Sequence, residues 1–211
     1  MTATSLTVME RLKESTQDAH TAAERHPLQA QLVRGQLPQD TYADYLGQLL
    51  VAHRALESAL RDSASKLPAV ETMAKPSRDR EPDLIADLKA LGRDPDTVAP
   101  GAAAASFAEW CRETAETNPV ALIGPLYVLE GSTNGGRFIV RAVRKAYSVD
   151  GGDRYLDPYG DDQPTHWAAF KTDMASIPFE ERDVEALIAS ADRMFNTIAA
   201  IGSELVPASE G

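Results

Sequence analysis

Four histidines are the residues of this sequence best suited to bind a metal ion: His20, His26, His53 and His166. His53 lies within a stripe of leucines, which is typical of a hydrogen-bonded core histidine. His26 precedes a proline at a helix end and His166 falls in the first turn of a predicted helix. Neither has an evident partner, so we expect structural or solvent-facing roles for both. His20 differs, because small alanines beside it leave room for a ligand.

A lysine stands at a useful distance from His20. Lys13 precedes it by seven residues, which on a helix corresponds to about 10 Å along the axis and nearly the same side. A metal-ligating nitrogen and a cationic head at this separation suit a flat, iron-centred ligand with carboxylates at its rim, and haem is such a ligand. The spacing alone leaves open a surface lysine and an unliganded histidine, since such pairs are common on helices.

A cluster of glycines interrupts the stretch "YVLEGSTNGGRFIV", which begins at Tyr127. Gly131, Gly135 and Gly136 match neither the dinucleotide fingerprint nor the phosphate-binding P-loop, and Ser132 lacks the context of a nucleophile. Each glycine inside a helix costs about 1 kcal/mol relative to alanine. Two interpretations remain open: a turn that joins two helices, or a kinked helix whose bare backbone lies against a flat ligand.

The elements that must position these residues are helices. Apolar residues recur at helical spacing almost throughout, and no alternating strand pattern appears, which predicts an all-α bundle with residues 1–211 in a single domain. We predict helices over residues 5–25, 27–34, 38–66, 82–91, 102–117, 119–147, 164–176 and 180–205. The segment 119–147 contains the glycine cluster and is either one helix or two helices joined by a turn. The proline-containing segment before residue 82 and the segment 148–163 are predicted to be loops.

Composition limits the classes of function. The formal net charge of −11 argues against nucleic acid as the main partner. No apolar run approaches the roughly 20 residues of a membrane span, and the charged N-terminal residues do not resemble a signal peptide. Cys111 is the only cysteine, which excludes an internal disulfide and a thiolate metal cluster. We therefore expect a cytoplasmic location.

Two segments carry a resemblance to a known family. The stretch "LKESTQDAHTAAERHPLQAQLVRGQLPQDTYADYL" resembles the N-terminal helices of haem oxygenases, with Leu-Lys-x-x-Thr, His-x-x-Ala-Glu and a glycine before a tyrosine-containing helix. The stretch "YVLEGSTNGGRFI" resembles the distal helix of the bacterial members. The two motifs occur in the right order, and the resemblance extends from Leu12 to the final helix. It is loosest between Lys66 and Pro119.

The resemblance implies a set of site residues. His20 matches the proximal histidine that ligates haem iron, and the motif with Ser132 matches the glycine-kinked distal helix over the opposite face. The distal residues, for which a catalytic role is implied, are Gly131, Ser132, Gly135 and Gly136. The implied contacts to the haem propionates are Lys13, Tyr127 and Lys171, and Phe195 is the implied aromatic neighbour of the haem. Ser132 stands where some members carry a water-organising aspartate, and Asn134 adds a polar side chain nearby.

The resemblance also implies an activity. Haem would be both substrate and cofactor, cleaved with O₂ and external electrons to biliverdin, CO and Fe²⁺. Electrons would come from a ferredoxin or a reductase. We expect such an acidic partner to dock on a basic stripe beside the distal motif, formed by Arg137, Arg141, Arg144 and Lys145. The alternatives that the sequence leaves open are a non-enzymatic haem carrier or sensor, and a related bundle that binds another flat ligand.

Overall fold

A computed structural model describes residues 6–147 and 151–206 of the chain. Over these residues the chain forms ten α-helices and contains no strand, so the predicted all-α class is confirmed. The helices are α1 (Val8–Ser15), α2 (Gln17–Glu24), α3 (Pro27–Val33), α4 (Gln39–Ala64), α5 (Pro68–Met73), α6 (Glu81–Ala90), α7 (Ala102–Thr117), α8 (Ile123–Ala146), α9 (Gln163–Ser176) and α10 (Glu181–Leu205). Short 3₁₀ helices occupy Pro76–Arg78, Pro119–Leu122 and Gly160–Asp162. The expectation that residues 1–211 form one domain stays a prediction.

The first predicted helix is in fact two helices. Thr16 leaves helical geometry at φ −102° and ψ 6°, and it separates α1 from α2. Its hydroxyl donates to the carbonyl of Leu12 at 2.8 Å. A threonine side chain that bonds its own backbone competes with the helix ladder and bends or breaks the helix. Lys13 and His20 therefore lie on different helices.

The segment between α4 and α6 is more ordered than predicted. Pro68, taken as a loop residue, lies in the first turn of α5, where a proline needs no backbone N–H. Pro76 begins a 3₁₀ turn in the same way. In the later segment, residues 151–159 are irregular as predicted, and residues 148–150 lie outside the described part of the chain.

The helix α4 lies at the centre of the bundle. Its predicted stripe is buried throughout: Leu46, Leu49, Leu50, His53, Leu56 and Leu60. The helix α10 packs closely against α8 at Gly124, where a Cβ atom would lie 2.1 Å from the Ser190 hydroxyl oxygen and 2.4 Å from the Leu187 carbonyl oxygen. This contact fixes α8, the helix that carries the glycine cluster. In the described residues no helix is long and apolar enough to cross a membrane.

Candidate active site

A cavity of about 420 Å³ separates the N-terminal helices from α8, a size typical of small-molecule sites. Its wall combines residues of α1 to α4 and of α8 to α10 with residues of the irregular segment before α9. The predicted site residues on this wall are Lys13, His20, Tyr127, Gly131, Ser132, Gly135, Gly136 and Phe195. Residues far apart in the sequence thus meet around one space.

His20 presents its ring to the cavity from α2. The side chain is 48% exposed, so its nitrogen is accessible to a ligand. Phe195 of α10 packs against it edge to face, with the ring centroids 5.5 Å apart. The Glu24 carboxylate lies 3.6 Å from Nδ1, one helical turn along. A carboxylate on that side favours Nδ1 as the protonated nitrogen and leaves Nε2 to act as a metal ligand. In the described part of the chain, no cluster of three or more His, Cys, Asp or Glu side chains could hold a metal ion.

The helix α8 continues without interruption through the glycine cluster, so the turn interpretation is wrong. Three consecutive side chains bond back to carbonyls three residues earlier: Ser132 to Leu129, Thr133 to Glu130, and Asn134 to Gly131. Bonds of this kind favour a local bend. They also hold the polar side chains of the motif against their own helix.

The three glycines of the motif serve different purposes. A Cβ at Gly136 would lie 2.0 Å from the Leu156 carbonyl oxygen, so this glycine allows the irregular segment to pack on α8. The expectation that Gly136 keeps the backbone close to a ligand is therefore incomplete, because protein packing already requires it. At Gly135 a Cβ would meet nothing within 4 Å, and at Gly131 it would make only an ordinary 3.6 Å contact with Trp167. Packing among the described residues therefore requires neither Gly131 nor Gly135 to be a glycine.

Ser132 and Asn134 differ in how firmly they are held. The Ser132 hydroxyl donates to the Leu129 carbonyl at 2.6 Å, which leaves its lone pairs free to accept a hydrogen bond in the cavity. The Asn134 amide nitrogen donates to the Gly131 carbonyl at 3.0 Å, and its oxygen accepts from Gln163 of α9 at 3.3 Å. Asn134 is thus a fixed bridge between α8 and α9.

Of the three predicted propionate contacts, two line the cavity. Lys13 is exposed at its rim, and Tyr127 is half-buried in its wall, where burial raises the pKa of the phenol. Trp167 of α9 lies beside Tyr127, with the ring centroids 6.2 Å apart. Lys171 is exposed one turn further along α9 and does not line the cavity, so its contact with a ligand stays a prediction.

Sequence reasoning missed the rear wall of the cavity. Tyr155 and Leu156 come from the segment predicted only as a loop, and Tyr45 comes from α4. Gln29 donates to the Tyr45 hydroxyl at 2.8 Å. The tyrosines of this glycine-rich loop were the one available sign that it could contribute to the cavity. Their contacts with the cavity are long-range, so no local sequence pattern predicts them.

A buried polar cluster that was also missed anchors α8 from behind. Glu130, next to Gly131, accepts a hydrogen bond from the Tyr159 hydroxyl at 2.9 Å. Arg80 donates to the same hydroxyl and lies over the Tyr159 ring. His166 also stacks on that ring, with the ring centroids 3.8 Å apart. Burial raises the pKa of Glu130, an effect that the Tyr159 bond partly offsets.

The other three histidines, His26, His53 and His166, have structural roles, although His26 and His166 have partners that the sequence did not reveal. His26 caps α3 through Nδ1, which accepts from the Leu28 N–H, and its Nε2 lies 3.0 Å from the Ser203 hydroxyl. His53 is a bonded core histidine, as predicted.

The basic stripe lies on the outer face of α8, beyond the cavity residues. All four of its side chains are exposed: Arg137, Arg141, Arg144 and Lys145. Arg144 is paired with Asp153, and Arg137 lies over the ring of Phe138, which is itself 69% exposed. In the part of the chain that the structure describes, no ion pair involves Arg141 or Lys145.

The fold and the site together define an all-α protein, over the described residues, in which a cavity lined by His20 faces a glycine-rich helix. A family profile described as "Heme oxygenase" matches residues 6–203. A heme oxygenase of Xanthomonas campestris pv. campestris (strain 8004) is 30% identical over 141 residues, which cover 66% of this chain and 75% of the relative. The chain belongs to the haem oxygenase family.

Solved structures agree with this fold. The heme oxygenase of Leptospira interrogans superposes with a TM-score of 0.87 at 23% identity, covering 94% of this chain and 100% of that one. Heme oxygenase-1 of the cyanobacterium Synechocystis sp. PCC6803, in complex with heme, superposes with a TM-score of 0.84 at 22% identity, covering 95% and 93%. At these identities the likeness concerns the fold alone.

Proposed function

We propose that this protein is a haem oxygenase that cleaves haem to biliverdin, CO and ferrous iron with O₂ and external electrons. The observation that carries the proposal is that His20 and the bare surface of Gly131 and Gly135 line the same cavity. Glycines that cost helix stability without serving internal packing point to a ligand that needs the space. The family membership of the chain supports the same conclusion.

His20 is the proposed iron ligand. Its ring is accessible, Phe195 restricts its rotation, and Glu24 lies near the nitrogen that would not bind iron. Neutral imidazole is a common ligand of iron in proteins. Lys13 and Tyr127 at the cavity wall would hold the propionates, and Lys171 would add a third contact from α9.

The distal wall would provide space and hydrogen bonds. Gly131 and Gly135 leave room for oxygen, and Gly136 keeps the irregular segment in place against α8. Ser132 can accept a hydrogen bond from water in the cavity, and so take the place of the carboxylate that some family members carry. Haem supplies the oxygen chemistry when bound, and the chain's own residues bind it, orient it and limit the access of water.

The electron donor is proposed to dock on the basic stripe. Arg141 and Lys145 are exposed cations on a chain whose net charge is −11, so they form a local site for an acidic ferredoxin or reductase. We place the reaction in the cytoplasm. The only cysteine, Cys111, is buried, and burial raises its pKa to about 12, so it behaves as a packing residue that needs no oxidising compartment.

Spectroscopy of the purified protein tests the proposal. Haem should bind and produce a Soret band, and a reductant with O₂ should replace that band with the absorption of biliverdin. A haem carrier or sensor would retain its Soret band under the same conditions. A bundle for another flat ligand would produce no Soret band.

A further inference from the structure

The side chain of Asn134 is bonded at both ends of its amide. Its nitrogen lies 3.0 Å from the Gly131 carbonyl oxygen, and its oxygen lies 3.3 Å from Nε2 of Gln163. A carbonyl oxygen only accepts hydrogen bonds, so the Asn134 nitrogen must face Gly131 and the Asn134 oxygen must face Gln163. Gln163 is therefore the donor. The bridge runs from α9 through Asn134 to the carbonyl of a distal glycine.

The bridge begins at the residue that opens α9. Gln163 is the first residue of this helix and is only 2% exposed. Trp167 follows it by four residues and Lys171 by eight, which places all three along one side of the helix. Trp167 lines the cavity, and Lys171 is the predicted third contact with the propionates. Asn134 thus holds the beginning of the helical side that carries both residues.

Trp167 stands next to the bare surface of the distal helix. A Cβ atom at Gly131 would lie 3.6 Å from Cη2 of its indole. The indole also stacks on Phe170, which is buried in the core, with the ring centroids 5.3 Å apart. Among the residues that the structure describes, the bond from Gln163 to Asn134 is the one hydrogen bond that joins α8 to α9. It therefore controls how closely the start of α9 approaches the distal helix.

We propose that Asn134 and Gln163 are positioning residues that set the orientation in which haem lies in the cavity, an inference that rests on the proposed oxygenase function. The propionates occupy one part of the haem rim, so a displacement of one cavity wall turns the rim relative to His20. That orientation decides which carbon of the ring edge is attacked. Selectivity between positions of one substrate depends on how precisely the site holds it. The bridge maintains one orientation by keeping Trp167 close to the distal helix.

Fluorescence of the haem-free protein tests the bridge independently of activity. The chain has two tryptophans, so in a Trp110→Phe background the emission comes from Trp167 alone. Asn134→Ala and Gln163→Met should each shift this emission to longer wavelength and increase its quenching by acrylamide, because the indole loses its fixed place beside α8. Emission and quenching equal to those of the parent protein in both variants would overturn the inference.

Analysis of the biliverdin isomers tests the role in the reaction. The wild type should form a single isomer. In Asn134→Ala and in Gln163→Met a second isomer should make up roughly a tenth or more of the product, since one hydrogen bond of ordinary strength maintains a preference of that size. The matched control is Thr172→Val, which removes a hydrogen bond within α9, from the Thr172 hydroxyl to the Ala168 carbonyl at 3.0 Å. This variant should keep the single isomer.

The two variants of the bridge also separate positioning from direct contact with the ligand. Gln163 does not line the cavity, so it acts on haem only through Asn134 and α9. The double variant should therefore resemble either single variant, as expected when two changes remove the same interaction. If Gln163→Met keeps the single isomer while Asn134→Ala does not, Asn134 contacts the ligand directly and the inference is overturned.

The remaining outcomes distinguish this inference from the proposed function. If the wild type and both variants of the bridge form the same isomer alone, the inference is overturned and the proposed function stands. A wild type that forms several isomers has the same consequence. If the wild type leaves haem unchanged, the proposed function fails and this inference fails with it.

Discussion

At the scale of single residues, His20 combines the two properties that an iron ligand needs. Its ring is accessible from the cavity, and it packs edge to face with the ring of Phe195. Because the side chain is half exposed, the fold depends little on it. A substitution of His20 can therefore change haem binding without a large change in the stability of the fold.

We expect His20→Ala to keep the fold and lose haem turnover, with the Soret band shifted or broadened, since the cavity would retain its shape but not its metal ligand. The control is His166→Phe, which keeps an aromatic ring on Tyr159 and lies outside the cavity wall. Its haem spectrum should match the wild type. Equal haem spectra for wild type and His20→Ala would remove His20 from the site.

Glu130 supports a prediction about pH. Burial raises its pKa above the unfolded value of 4.5, so the folded state binds this proton more tightly than the unfolded chain does. The stabilisation that results is present at low pH and is lost as the pH rises through the folded pKa. Relative to Glu130→Gln, the wild type should therefore gain unfolding free energy as the pH is lowered from neutral to about pH 5.

Urea unfolding at several pH values measures this difference. Glu109→Gln serves as a control in which the pH dependence of stability has the opposite sign. The hydrogen bond from Arg112 lowers the pKa of the exposed Glu109, whereas the pKa of Glu130 is raised. A group with a lowered pKa loses stabilisation as the pH falls. If the wild type and Glu130→Gln respond identically to pH, the Glu130 carboxyl is solvated or differently paired.

At the scale of elements, α8 contains two adjacent glycines with opposite expected effects. Gly135→Ala should raise the unfolding free energy of the haem-free protein by up to about 1 kcal/mol, because the methyl group enters open space and alanine favours a helix. Gly136→Ala should lower it by about 1–3 kcal/mol, because its Cβ would collide with the Leu156 carbonyl.

A haem-binding measurement further distinguishes the role of Gly135 from that of Gly136. Gly135→Leu should weaken haem or oxygen binding while circular dichroism shows intact helix content, because its side chain would enter the cavity. Similar stability losses for Gly135→Ala and Gly136→Ala would show that both glycines serve internal packing. The functional reading of Gly135 would then be wrong.

Most helices could be predicted because their signals are local. The periodicity of α7 and α10 gave their positions to within one residue, and Gly35 ends the α3 region with φ +65°, as glycine favours. The break at Thr16 could not be predicted, because threonine is tolerated inside helices and only its bond to Leu12 reveals the competition. Site residues on helices followed from the resemblance, whereas Tyr155 and Leu156 reach the cavity through long-range packing.

At the scale of the whole molecule, the net charge of −11 makes the basic stripe on α8 distinctive. Turnover driven by ferredoxin should fall steeply with salt and with Arg141→Glu, since steering between surface charges is screened over about 10 Å at 0.1 M salt. Arg144→Glu should act in the same direction, although Arg144 also pairs with Asp153. Turnover driven by ascorbate, which needs no docking face, should change little.

A control variant makes the docking test specific. Arg112→Glu reverses an exposed charge on α7, a different helix from the stripe, and should leave the ferredoxin-driven rate near the wild-type value. If both donors respond alike to salt and to Arg141→Glu, the stripe has a structural role or contacts haem, and the docking proposal is wrong.

The most direct measurement is a single turnover of one equivalent of haem by the wild-type protein and by His20→Ala, with ascorbate and O₂ and with CO and biliverdin both quantified. The wild type should release CO and biliverdin in equal amounts, while His20→Ala should release neither. A wild type that binds haem, accepts electrons and returns the haem intact would contradict this expectation.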